Sequence, residues 1–279
     1  MNSFAVDNII KTALEEDLGW GDVTTDSTIS DDVLIKGNFI AKQIGVLCGV
    51  EVCKRVFQLL DEDIVFIIRK NDGDKVAVGD IVAEISGKAK SILKGERVAL
   101  NLLQRMSGIA TMTNIYAEKI KELPTKIVDT RKTVPGLRML DKYAVKTGGG
   151  SNHRYNLSDM VLIKDNHIKA AGGIAKAVAA AKSKLSHAVK IEVEAESIDM
   201  MKEAIEAGAD IVMLDNMPLE EMRAAVKAAG GRVLLEASGN IELEGERNIR
   251  SVAETGVDII SVGALTHSVI AMDISLRFV

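Results

Sequence analysis

The chain has 279 residues, of which 47% are hydrophobic, 27% charged and 3% aromatic. These proportions exclude a disordered or fibrous chain, and so few aromatics leave no stacking platform for single-stranded nucleic acid. The formal net charge of −5 excludes a global basic field, so no nucleic-acid partner is expected. In chain order, Val6, Ile9, Ile10, Ala13 and Leu14 recur at helical spacing, and Gly19-Trp20-Gly21-Asp22 breaks that helix. Residues 33–41, 64–68 and 80–85 read as strands and 50–60 as a helix, an α+β unit on a small sheet. Its two cysteines, Cys48 and Cys53, lack a metal or redox spacing and read as buried small hydrophobes. The first 18 residues lack the basic-then-apolar pattern of a signal peptide. No apolar run approaches the roughly 18 residues a membrane span needs, so a cytoplasmic protein with no membrane partner is expected.

Asp72-Gly73-Asp74-Lys75-Val76 followed by Gly79-Asp80-Ile81-Val82 is similar to a piece of a biotinyl or lipoyl carrier domain. The acceptor hairpin does not follow, so the segment reads as turn chemistry. Residues 91–123 are rich in helix formers and contain Gly108, which predicts two helices or one bent one. From Lys126 onward, short β-branched runs alternate with Ala-rich helical segments. The runs begin at Lys126, Met160, Val189, Asp210, Arg232 and Val257. Apolar strands separated by helices mean a parallel sheet covered on both faces. No GxGxxG follows the first strand, so an incomplete β/α barrel fits better than a dinucleotide-binding sheet. A further strand is expected near 144–151 or in the preceding helical region.

Charged residues at the C-terminal ends of barrel strands point into the active-site mouth. Here the strand ends carry Asp129-Thr130-Arg131-Lys132, Lys164-Asp165, Glu192-Val193-Glu194, Asp215-Asn216 and Glu236. A lone charge at a strand end is ordinarily solvated; convergence of five is not explained that way. Arg131, Lys132, His153, Arg154 and Lys164 form a cationic side, and Glu194, Asp215 and Glu236 an anionic one. The cations want a polyanion, and a carboxylate pair suits Mg2+. Ser238-Gly239-Asn240 and Val262-Gly263-Ala264 are turns of the kind that bind phosphate after late barrel strands. Gly148-Gly149-Gly150 precedes His153 and reads as a lining loop. The four histidines show no zinc-ligand spacing, and His167 and His267 take no assigned role.

The string Asp129-Thr-Arg-Lys-Thr-Val-Pro-Gly-Leu-Arg138 resembles the signature of the quinolinate phosphoribosyltransferases. Residues 15–25, 95–111, 148–154 and 162–167 and the later strand ends resemble that family in the same order, over essentially the whole chain. Asn240 stands where the family more often has a small residue. The resemblance implies an N-terminal open-faced α/β sandwich over 1–107, joined by 268–279, and an incomplete seven-stranded α/β barrel over 108–267. It implies transfer of phosphoribosyl from phosphoribosyl pyrophosphate to quinolinate with Mg2+, giving nicotinate mononucleotide, CO2 and pyrophosphate in NAD biosynthesis. It assigns Arg131, Arg154 and Lys164 to the two carboxylates of quinolinate, with Thr130, Lys132 and His153 nearby. Glu194 and Asp215 would hold Mg2+ and ribose hydroxyls, and the two turns the 5′-phosphate. Lys132, Glu194 and Asp215 are the catalytic candidates. Arg97 would reach the neighbouring subunit's site in a homodimer, and assembly to a hexamer stays open. Three rivals remain: a transferase acting on nicotinate or a homologue encoded with molybdate transport; a Schiff-base aldolase using Lys164; and a non-catalytic binding protein. Acceptor preference, borohydride trapping and metal-dependent turnover separate them.

Overall fold

The computed structural model describes all residues, 1–279. By contact density the chain divides into two compact units: 1–114 with 133–149 and 265–279, and 115–132 with 150–264.

The first unit starts with α1 (Ser3–Leu18), whose N-terminus is capped by the Asn2 side chain. Its buried residues Val6, Ile10 and Leu14 lie one turn apart, so one stripe faces inward. The short α2 (Val23–Thr28) follows, capped by Asp22. Then come β1 (Leu34–Ala41), β2 (Gly45–Val46), α3 (Val50–Leu60), β3 (Val65–Ile68), β4 (Lys75–Val76) and β5 (Ile81–Lys88). β1, β3 and β5 pair antiparallel with β5 central. Phe39, Phe57 and Phe66 form an edge-and-stack cluster with centroids 5.6–6.0 Å apart between this sheet and α3. Asp7 receives two hydrogen bonds from Arg55, at 2.8 and 2.7 Å, joining α1 to α3. β2 and β4 pair only with each other, so the carrier-like segment is turn and short ribbon, as its chemistry predicts. Cys48 and Cys53 are free and buried, and burial pushes both thiols well above their ordinary range.

α4 (Ala89–Lys119) runs unbroken for 31 residues, so of the two expectations the pair of helices is overturned. Gly108 serves close approach instead: a Cβ there would lie 2.2 Å from the carbonyl oxygen of Ile270.

In the second unit the sheet begins with β6 (Lys126–Val128). The chain then leaves for α5 (Arg138–Thr147) of the first unit. It returns through β7 (Val161–Ile163), α6 (Asp165–Ala171), α7 (Ile174–Lys184), β8 (Ile191–Ala195), α8 (Ile198–Ala207), β9 (Ile211–Asp215), α9 (Leu219–Ala229), β10 (Leu234–Ser238), α10 (Ile249–Ala253) and β11 (Ile259–Ser261). These six strands are parallel in the order β6-β11-β10-β9-β8-β7. Ser151 adds a single parallel bridge to Val128 on the outer edge of β6. The seventh strand of the incomplete barrel is thus cut to one residue, within the stretch the sequence pointed to. The chain ends in the first unit with α11 (Ala264–His267) and β12 (Ile274–Phe278), the latter antiparallel to β1. No helix is long and apolar enough to cross a membrane.

Candidate active site

A cavity of about 520 Å3 opens at the C-terminal ends of the parallel strands, lined entirely by the second unit. Side chains at i and i+2 on a strand share a face. The cavity is built from such pairs, among them Leu162 and Lys164, Met213 and Asp215, and Glu236 and Ser238. Leu162 pairs in register with Glu192. Two residues on, Lys164 Nζ meets Glu194 Oε2 at 2.8 Å, with Glu194 the more buried partner.

On the cationic wall, Thr130, Arg131, Lys132, His153, Arg154 and Lys164 all line the cavity. Arg131 Nε is buried with no hydrogen-bond partner. Burial lowers the pKa of Arg154, and the Arg131 charge lowers it further. Two guanidinium groups crowd together with donor capacity unspent, which favours an anion between them. Arg154 Nη1 also donates to the Met160 carbonyl at 3.2 Å, which fixes its arm. The backbone N–H of Lys164 donates to His167 Nδ1 at 2.9 Å, so His167 steadies that strand end.

His153 sits at the end of the glycine-rich loop, its N–H donating to the buried Asp129 at 2.9 Å. Its Nε2 lies 3.1 Å from Glu192 and 3.4 Å from Glu236, both fully buried. Burial opposes charge on the ring, yet hydrogen bonds to the two carboxylates outweigh it and push the pKa up to about 10. The N–H of Arg154 points at Nδ1 from 2.8 Å, a contact that favours the neutral ring and pulls the other way. Both ring nitrogens therefore face protein groups, where the resemblance placed His153 against substrate oxygens. Burial raises the pKa of Glu192, opposed by His153. Glu236, placed on the anionic side from sequence, lines the cavity and also meets His153.

Glu194 and Asp215 share the cavity with Asn216, Ser238, Gly239 and Asn240. Asn216 Nδ2 donates to Asp215 Oδ2 at 3.0 Å, and Asn240 Nδ2 to Asn216 Oδ1 at 3.2 Å. Asn216 and Asn240 have φ of 53° and 49°, a left-handed backbone that Asn tolerates better than most side chains. That accounts for Asn240 at its position. Gly239 has φ of 92°, and a Cβ there would lie 2.1 Å from Asn216 Oδ1. The second predicted phosphate turn behaves differently. Val262 is buried and its N–H donates to the Val128 carbonyl at 2.9 Å, so that amide is closed to ligand. Val262, Gly263 and Ala264 do not line the cavity; Ser261 does, its Oγ buried without a partner. A polar residue closing the apolar β11 was the available sequence signal. Arg97 is exposed on α4 of the first unit.

Fold and cavity define an α/β enzyme that grips a polyanionic substrate at the carboxyl ends of parallel strands. The model of the quinolinate phosphoribosyl transferase N-terminal domain matches residues 22–107, and that of the C-terminal domain residues 109–277. The chain belongs to the quinolinate phosphoribosyltransferase family. It is 45% identical over 276 residues to a probable nicotinate-nucleotide pyrophosphorylase (carboxylating) of Bacillus subtilis, covering 99% of this chain and 94% of that one. It is 44% identical to a chloroplastic nicotinate-nucleotide pyrophosphorylase (carboxylating) of Arabidopsis thaliana over 288 residues, 96% of this chain and 81% of the other. The solved nicotinate-nucleotide pyrophosphorylase of Francisella tularensis superposes with a TM-score of 0.94 at 42% identity, covering 100% of this chain and 98% of that one.

Proposed function

We infer that the chain transfers phosphoribosyl from phosphoribosyl pyrophosphate to quinolinate with loss of CO2, forming nicotinate mononucleotide and pyrophosphate in de novo NAD biosynthesis. The observation that carries the assignment to this cavity is the Arg131–Arg154 pair: two crowded guanidinium groups, one with a buried unpartnered donor. With Lys164 they offer three cations to the two carboxylates of quinolinate. Nicotinate has one carboxylate and would leave part of that charge unmatched.

Quinolinate held by its carboxylates presents its ring nitrogen to C1 of the ribose. The nitrogen lone pair forms the new bond as the C1–oxygen pair departs with pyrophosphate. The carboxylate on the neighbouring carbon then leaves as CO2, its bonding pair stays on that carbon where the adjacent positive nitrogen stabilises it, and a proton takes up the pair. Lys132 meets departing pyrophosphate or substrate oxygens at the mouth. The Ser238–Asn240 loop holds the 5′-phosphate. Glu194 and Asp215 present hard carboxylate oxygens to the same cavity, a donor set that fits Mg2+. Bound there, the ion would offset developing charge on pyrophosphate. Turnover of quinolinate with phosphoribosyl pyrophosphate and Mg2+, with CO2 recorded and nicotinate in parallel, tests the reading. Preference for nicotinate would overturn the two-carboxylate clamp. Covalent labelling of Lys164 by a carbonyl substrate under borohydride reduction would favour a Schiff-base aldolase.

Glu194→Gln combined with Asp215→Asn should weaken Mg2+-dependent binding of phosphoribosyl pyrophosphate about a hundredfold while leaving quinolinate binding within a few-fold. Calorimetry with each ligand reads this directly; equal loss of both would remove the division between anionic and cationic walls.

The active unit is a homodimer in which Arg97, exposed on its helix, completes the partner's site. Arg97→Ala and Lys132→Ala homodimers are each expected to be inactive, and their mixture to recover activity at one site of each hybrid. Hybrids purified with two tags and showing no recovery would rule out a shared site.

A further inference from the structure

Arg247 lies on the loop between β10 and α10, outside every strand end that the sequence singles out. This loop is closed: the Ile249 N–H donates to the Glu242 carbonyl at 2.9 Å, and Asn248 Nδ2 to the Gly245 carbonyl at 2.6 Å. From it the Arg247 guanidinium donates to three backbone carbonyls. Nε reaches Gly239 at 2.9 Å, Nη2 reaches Ser238 at 3.1 Å, and Nη1 reaches Met217. Met217 follows β9, Ser238 ends β10 and Gly239 follows it. A single planar fork thus ties together the loop carrying Asp215 and Asn216 and the loop carrying Ser238 to Asn240. The Asp215 charge favours the charged guanidinium against its partial burial.

In a trans peptide the N–H points opposite the carbonyl, and the chain has no cis bonds. With the Ser238 and Gly239 carbonyls turned to Arg247, the N–H groups of Gly239 and Asn240 point away from it. Neither donates to a protein acceptor, and both residues line the cavity. Two adjacent amides held in this way are a nest for an anion. The Asn216 N–H also donates to the Ser238 carbonyl, at 3.0 Å, so the Gly239 carbonyl is the one held by the fork alone; without the fork it could turn inward and repel a phosphate.

We propose that Arg247 is a positioning residue for phosphoribosyl binding, holding the loops after β9 and β10 in the conformation that presents the Gly239 and Asn240 amides to the 5′-phosphate. The proposal rests on the reading that Ser238–Asn240 hold that phosphate. It touches no substrate itself; it acts through the backbone of two loops.

The test is the steady-state kinetics of the full-length enzyme, with thermal melting alongside. Arg247→Gln should raise KM for phosphoribosyl pyrophosphate about tenfold or more while quinolinate KM stays within about twofold. Arg247→Lys keeps the charge but can serve only one carbonyl well, so its KM for phosphoribosyl pyrophosphate should fall between the two. An unchanged value in Arg247→Gln, or both KM values rising together, overturns the proposal. Should Arg247→Gln not fold, Arg247→Lys alone decides: a wild-type KM overturns and a selective rise supports. Failure of both to fold makes the contacts purely stabilising and overturns it as well. Gly239→Ala separates the proposal from the reading beneath it, because its Cβ displaces the same loop directly. If it raises the KM for phosphoribosyl pyrophosphate and Arg247→Gln does not, only the positioning role falls; if it leaves that KM unmoved, the phosphate assignment falls and the proposal with it.

Discussion

Arg131→Met is expected to raise the quinolinate KM by about two to three orders of magnitude and to leave the melting temperature unchanged or slightly higher. The two halves of this result have separate causes. A carboxylate desolvated against guanidinium groups loses about 2–5 kcal/mol when one partner is truncated, and each 1.4 kcal/mol is about tenfold in affinity. In the free protein the same side chain contributes little to the fold. Its Nε is buried without an acceptor, and its charge lowers the pKa of Arg154 beside it. Removing it relieves repulsion between like charges. Loss of function without loss of stability is the signature of a group held for its ligand. Quinolinate titration by calorimetry and a thermal melt on one preparation check both halves. A destabilised protein with normal quinolinate affinity would assign Arg131 to the scaffold.

Arg105→Met should do the reverse. Arg105 donates to both oxygens of Asp141, at 2.9 and 2.8 Å, and Asp141 is fully buried. Breaking a buried pair from one side leaves an uncompensated charge and costs about 3–5 kcal/mol. For a chain of this size that is a fall of about 10 °C in melting temperature. The double variant Arg105→Met with Asp141→Leu removes both charges and should recover most of the loss. Melting curves of the two proteins decide it: a double variant no more stable than the single one would mean that packing, not charge, is what the pair provides.

The parallel sheet was readable because strands buried on both faces appear as apolar runs with charge at their carboxyl ends. Residues 126–129 and 160–164 are examples, and the cationic wall followed from them. The seventh strand was only half readable, since a single bridge at Ser151 leaves no periodic trace. Gly108 misled because a glycine inside a helix signals a break as readily as a close crossing, and only the Ile270 carbonyl tells them apart. The turn at Val262–Ala264 has the composition of a phosphate loop, but the sheet uses one of its amides. The His153–Glu192–Glu236 cluster was hidden because Glu192 and Glu236 look like strand-end charges, and only the fold turns both of them to His153. Arg247 has no sequence signature at all: an arginine that binds carbonyls looks the same as one that binds water.

Lys164 and Glu194, 2.8 Å apart, are each other's counter-ion before any substrate arrives. On the roles assigned above, one is wanted by a dicarboxylate and the other by a divalent cation. Either ligand, in taking its own partner, sets the other free. The two binding events are then thermodynamically coupled, and the factor by which quinolinate tightens the metal–pyrophosphate complex equals the factor by which that complex tightens quinolinate. A half-loaded enzyme is thereby disfavoured against both the free and the fully loaded forms, and the cavity tends to commit only when both reactants are present.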